Sequence, residues 1–202
     1  MNRPLQVGIT GGIGSGKSLV CRIFQCLGIS IYDADSRAKS LMTTDGILIA
    51  QIRKEFGDLS YNEDGSVNRK YLSEVVFNKS DQLEKLNSLV HPRVGEDYKQ
   101  WLKLNAQAPY VVKEAALLIE AGTYRAMDYL IVVQAPEALR VQRVLKRDTH
   151  RTTQDVLAII RNQLQDEERL RFATDVIVND ETRLLIPQVL MLHEKFSARQ
   201  NK

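Results

Sequence analysis

Gly11-Gly12-Ile13-Gly14-Ser15-Gly16-Lys17-Ser18 matches G-x-x-x-x-G-K-[ST] at every fixed position, and the chemistry of that spacing is phosphate capture. Glycines let successive backbone N–H groups turn inward around phosphate oxygens. A helix starting just after them adds unpaired donors and the positive end of its dipole. Lys17 then reaches the β- and γ-phosphates, and the Ser18 hydroxyl is a Mg²⁺ ligand. The expected nucleotide contacts are Gly12, Ile13, Gly14, Ser15, Gly16, Lys17 and Ser18. The loop predicts binding of a nucleoside triphosphate.

A second set of candidates is acidic. Ile31-Tyr32-Asp33-Ala34-Asp35 puts two carboxylates behind a short apolar run. Open α/β sheets bind ligands outside the carboxyl ends of their strands. Asp33 at such an end can take the proton of an attacking hydroxyl, as a general base does. Asp33 or Asp35 can equally cap the helix that follows; position alone leaves both readings open. A third set is basic: Arg140, Arg143 and Arg147 recur at spacings that share one helix face, with Arg151 just beyond. Such a run is either a solvated face or a group of guanidiniums for a transferring phosphoryl. In the second case Arg147 is the candidate lid arginine, Arg143 and Arg140 lie nearer the base or ribose, and all converge with Lys17 on one polyphosphate.

Positioning these groups requires strands and helices in alternation. Short apolar runs at 5–10, 28–32, 110–114, 129–134 and 175–178 read as parallel strands covered on both faces. Helical stretches fall at 17–27, 33–42, 46–56, 81–107, 136–147, 153–165 and 184–198. The pattern predicts an α/β chain of the P-loop NTPase fold, with a parallel five-stranded sheet and helices on both faces. Residues 43–108 lack a convincing strand, and residues 136–173 form an arginine-rich helical excursion. These are the candidate acceptor-binding insertion and lid of a single domain. The nucleotide-binding core is then 1–42, 109–135 and 174–202.

Composition excludes several classes. A chain of 202 residues with 44% hydrophobic and 26% charged residues is neither disordered nor fibrous. The net charge of +3, from 28 basic and 25 acidic residues, is too small for a dedicated nucleic-acid binder. Cys21 and Cys26 make neither a disulfide framework nor a four-ligand zinc site and read as reduced, mostly buried thiols. No apolar run is long enough to span a bilayer and no export signal opens the chain, so the expected location is cytoplasmic, with no membrane partner. Oligomeric state is not legible.

Within the nucleotide binders, a GTPase would carry N-K-x-D, whereas Asn179-Asp180 lacks the lysine. A motor ATPase usually ends a later apolar strand in Asp; here the strands end in Glu114 and Gln134. A short chain with two helical excursions suits a small kinase, whose lid keeps water from the phosphoryl group. A nucleotide-dependent switch is the rival of a different class.

Several further segments carry a resemblance: Asp33-Ala34-Asp35, His91-Pro92, Leu117-Leu118-Ile119-Glu120, Gln142-Arg143-Val144-Leu145-Lys146-Arg147, Arg161-Asn162-Gln163 and 173–179. With the loop, and in this order over nearly the whole chain, they resemble the dephospho-coenzyme A kinase family. The resemblance implies ATP and Mg²⁺, phosphorylation of a ribose 3′-hydroxyl, and a coenzyme A-binding helical insertion. It makes Asp33 the base, Lys17 and Arg147 the phosphoryl stabilisers, and Arg143 and Asn179 further ATP contacts, Asn179 near adenine. Asp35, His91, Leu117 and Glu120 would face the acceptor. Read without it, His91 is an ordinary helix residue and Leu117 equally plain core. The chain departs from the family pattern at Ala115-Ala116, where a proline is common, and at Glu114. Another small-molecule kinase, with a nucleoside, nucleotide or sugar-acid acceptor, is the alternative.

Overall fold

Runs without polar alternation can be buried on both faces, and here they form parallel strands. The computed structural model describes residues 3–76 and 80–198; residues 1–2 and 199–202 of the expected core lie outside them. The strands are β1 (Leu5–Thr10), β2 (Ile31–Asp33), β3 (Tyr110–Glu114), β4 (Tyr129–Gln134) and β5 (Asp175–Val178). The helices are α1 (Lys17–Cys26), α2 (Ala34–Thr44), α3 (Gly46–Phe56), α4 (Arg69–Val76), α5 (Ser80–Leu104), α6 (Glu137–Arg147), α7 (Thr153–Asn162), α8 (Asp166–Leu170) and α9 (Leu185–Ser197).

The sheet order is β2-β3-β1-β4-β5, and every pairing is parallel. All carboxyl ends therefore share one edge. Ile9 of β1 registers with Glu114 of β3 and with Ile131 of β4, and Asp33 of β2 registers with Glu114. The sequence pattern assigns Asp33 to a helix; instead it closes β2, and α2 begins one residue later.

The chain divides into two compact units, Met1–Asp33 with Asn105–Lys202 and Ala34–Leu104. In the first, α1 and α9 pack together over a core that includes Val7, Ile9, Phe24, Tyr110, Ile131, Ile177 and Phe196. Cys21 joins this core, but Cys26 on the other side of α1 is exposed, so only one thiol of the expected buried pair is buried. A smaller cluster of Val144, Val156 and Ile160 joins α6 to α7. The expected helix over 153–165 stops at Asn162, because Gln163 turns extended (φ −92°, ψ 155°).

The second unit is helical. It spans Ala34–Leu104, and within it α2 packs on α3 and α5. Asp45 caps α3 by accepting from the N–H groups of Ile47 and Leu48. Leu48, Ile52 and Phe56, spaced by four, bury one face of it. Pro92 lies inside the continuous α5 and removes one backbone donor there. Among the described residues no helix is long and apolar enough to cross a membrane.

Candidate active site

The glycine-rich loop follows β1 and is held from several sides. Ser15 N–H donates to Gly12 O at 3.1 Å, and the α1 turn closes when Val20 N–H donates to Gly16 O. Gly16 is left-handed (φ 97°), and a Cβ there would collide with the Asn179 amide. That amide Nδ2 donates to Ser15 O at 2.8 Å, a buried bond from the end of β5. On another side Ile13 N–H donates to Gln163 Oε1 at 2.8 Å, and the Ile13 side chain packs on the α6–α7 cluster. Lys17 Nζ donates to the loop carbonyls of Gly11 (2.9 Å) and Gly12 (3.3 Å).

Acidic groups collect at the sheet edge beside the loop. Ser18 Oγ donates to Glu114 Oε1 at 3.0 Å. Glu114 is buried, and its strand neighbour in register is Asp33. Beneath them the Cys21 thiol is hydrogen-bonded to Glu114. Burial first, then the negative charge of Glu114, push that thiol far above its ordinary value; Asp33 adds to the shift and Lys17 opposes it. A single buried sulfur thus lies within electrostatic reach of Glu114, Asp33 and Lys17.

The arginines do not act as one face. Arg147 makes a two-pronged contact with Asp148, Nε to Oδ1 at 2.8 Å and Nη2 to Oδ2 at 2.9 Å. With Arg151 also donating, Asp148 is held down to about 2, the Arg147 bond being the main cause. Arg143 donates to the main-chain and side-chain oxygens of Asn179 and to Glu181. Arg140 turns inward, almost fully buried, and bonds Asp166. Helical spacing gave these residues a common side of α6, but each side chain follows a different acid. Arg143 and Arg147 line an open cleft of about 160 Å³ together with Gly14, Gly16, Lys17, Ser18, Leu19 and Val144; Arg140 and Arg151 are not in it.

A cation, a hydroxyl and two strand-end carboxylates beside a phosphate loop are the parts of a phosphoryl-transfer site. The Dephospho-CoA kinase family model matches residues 5–184. The chain belongs to the dephospho-CoA kinase family. Relatives named Dephospho-CoA kinase include that of Bacteroides fragilis, 37% identical over 93% of this chain and 91% of the relative. That of Methylococcus capsulatus is 38% identical over 96% and 97%. Among solved structures, TT1252 from Thermus thermophilus is similar with a TM-score of 0.84 and 29% identity, covering 96% of this chain and 98% of that one. Dephospho-CoA kinase from Campylobacter jejuni shares the fold, with a TM-score of 0.71 at 22% identity over 96% and 98% of the two chains.

The remaining family positions fall as follows. Asp35 lies in the first turn of α2, and His91 is exposed on α5, both in the helical unit. Leu117 is 48% exposed, while Leu118 and Ile119 are core. Glu120 Oε1 accepts from Leu164 N–H at 3.1 Å and lies 4.0 Å from Arg169. Sequence reasoning missed Cys21 under the acids and the buried Arg169. Cys21 was legible as the position one helical turn after Lys17, whereas nothing local marks Arg169.

Proposed function

We propose that this chain transfers the γ-phosphoryl group of ATP to the ribose 3′-hydroxyl of dephospho-coenzyme A, giving coenzyme A and ADP in the final step of coenzyme A biosynthesis. Family membership supports the acceptor. The structural observation that carries the chemistry is that Ser18, next to the loop cation Lys17, donates to Glu114 at 3.0 Å, and Asp33 stands in register beside Glu114 at the same strand ends. A loop cation and two carboxylates therefore meet at one sheet edge.

In this reading the loop N–H groups and Lys17 hold the β- and γ-phosphates. Asp33 accepts the hydroxyl proton as the 3′-oxygen bonds to the γ-phosphorus and the bond from that phosphorus to the ADP oxygen breaks. Arg147 and Arg143, which share a cleft with Lys17, stabilise charge on the phosphoryl oxygens. Ser18 and Glu114, already hydrogen-bonded to each other, present hard oxygen donors that fit Mg²⁺, and these residues would hold it. Bound there, it would neutralise β- and γ-phosphate oxygens. We assign Asp35, His91 and the exposed Leu117 to the acceptor, and the helical unit to the coenzyme A moiety. Glu120, engaged by Leu164 and Arg169, steadies the 163–170 segment instead. Residues 136–173 act as the lid. We place this reaction in the cytoplasm, as the sequence leads one to expect.

Purified protein given Mg-ATP and dephospho-coenzyme A should produce ADP and coenzyme A, with none above background for Lys17→Ala. Turnover of a nucleoside, nucleotide or sugar acid in preference to dephospho-coenzyme A would overturn the acceptor assignment. Asp33→Asn should lower kcat about 10²-fold or more while ATP affinity stays near wild type. Wild-type turnover in that variant would reduce Asp33 to a strand terminus.

A further inference from the structure

Gly12 is glycine for a reason its backbone does not supply. Gly11, Gly14 and Gly16 have positive φ, but Gly12 is outside the left-handed region. A Cβ at Gly12 would run into the Arg140 guanidinium, whose Nη1, Cζ and Nη2 are its three nearest atoms. A Cβ at Gly14 would meet the Arg140 backbone in turn. One residue of α6 thus forms the floor under two positions of the loop.

That floor is anchored elsewhere. Arg140 is 4% exposed, and its Nη1 donates to Asp166 Oδ1 at 3.2 Å. The same oxygen accepts from Arg169 Nη1 at 2.5 Å, and Arg169 Nη2 also donates to Leu164 O at 2.7 Å. Arg140 Nε and Arg169 Nε, both buried, have no protein acceptor. Asp166 is thus shared between two buried guanidiniums, with Glu120 farther out at 4.0 Å from Arg169. A buried guanidinium with a part share of one carboxylate is costly, and added negative charge nearby offsets that cost.

We infer that Arg140 is a positioning residue that couples the α8 segment to the phosphate loop. It fixes the loop sterically at Gly12, and its incompletely compensated charge favours a polyphosphate in the loop. The inference rests on the proposed ATP-binding role of the loop. Arg140 acts through Gly12 and contacts no reacting atom. Coupling is reciprocal: if α8 docking shapes the loop, ATP in the loop tightens α8.

A double-mutant cycle on ATP affinity, measured by calorimetry without acceptor, tests this. Gly12→Ala should weaken ATP about tenfold or more in the wild-type background. In an Arg140→Ala background, which removes the colliding group, the same change should cost less than about threefold, a coupling of the size found for contacting residues. Asp166→Asn, which removes both the anchor and the compensating charge of Arg140, should change the KM for ATP but leave the KM for dephospho-coenzyme A near wild type. Amide exchange at 164–170 should slow on adding ATP to wild type and should not in Arg140→Gln. If Arg140→Ala does not fold, Arg140→Lys replaces it, keeping the charge while shortening the group over Gly12. An equal Gly12→Ala penalty in both backgrounds overturns the inference, as does unchanged ATP affinity in Asp166→Asn and Arg140→Gln together. Failure of wild type to bind ATP would instead overturn the proposed function.

Discussion

Removing the Asn179 side chain separates a strut from a base contact. Asn179 is 7% exposed; its Nδ2 donates to Ser15 O at 2.8 Å, and its Oδ1 accepts from Arg143 at 3.3 Å. In Asn179→Ala the carbonyl of the fully buried Ser15 loses that donor, at about 1–3 kcal/mol for an orphaned buried acceptor. Arg143 keeps the main-chain oxygen of residue 179 and Glu181, so its share is small. The sum is about 1–3 kcal/mol, divided between folding and ATP binding. Expressed wholly in folding it lowers the melting midpoint by about 2–12 °C for a chain of this size. Expressed wholly in binding it weakens ATP about 5–150-fold. Thermal unfolding with and without ATP, combined with a calorimetric titration, reads both. An unchanged midpoint together with unchanged affinity would refute the strut. A changed preference between ATP and GTP at an unchanged midpoint would return Asn179 to the adenine.

Two further outcomes follow from charge and burial. An aromatic disulfide reagent should titrate one thiol per native chain, the exposed Cys26, and two in denaturant, since Cys21 is buried with its thiol pushed far up; two fast native thiols would contradict the packing under Glu114. For Asp45, burial pulls the carboxyl upward, but the Leu48 N–H, Arg93 and the Ile47 N–H win and hold it below 3.8. A lowered carboxylate stabilises above its unfolded value and loses that contribution as pH falls through the lowered one. Asp45→Ala should therefore cost about 1 kcal/mol by urea unfolding at neutral pH, and a difference from wild type that persists undiminished in strong acid would count against the cap.

Features that depend on one segment were legible in the sequence. The loop, its strand and its helix form one continuous run, and β1, β3, β4 and β5 stand at their expected bounds because buried parallel strands are uninterrupted apolar runs. β2 was half legible, since only three residues pair and Asp33 looks like a cap until Glu114 stands beside it. α4 was not legible because eight residues with only Leu72 buried give too little periodicity. The fate of the arginines was hidden for a different reason. Spacing fixes the side of α6 from which Arg140 leaves, but its acceptor Asp166 comes 26 residues later.

The connectivity of the sheet also sets an order of events during synthesis. β1 and the loop emerge before β3 and β4, the two strands with which β1 pairs. Glu114, which receives Ser18, lies 96 residues downstream, and Asn179, which braces Ser15, lies 164 residues downstream. At about 5–20 residues per second the ribosome needs about 5–20 s to deliver the first and about 8–30 s to deliver the second. Long-range parallel pairing is also slow once the parts exist. The nascent loop therefore waits without the groups that shape it. Nucleotide capture becomes a late folding event, a natural reporter that the last strand has docked, and until then the apolar first strand is a segment for chaperones to shield.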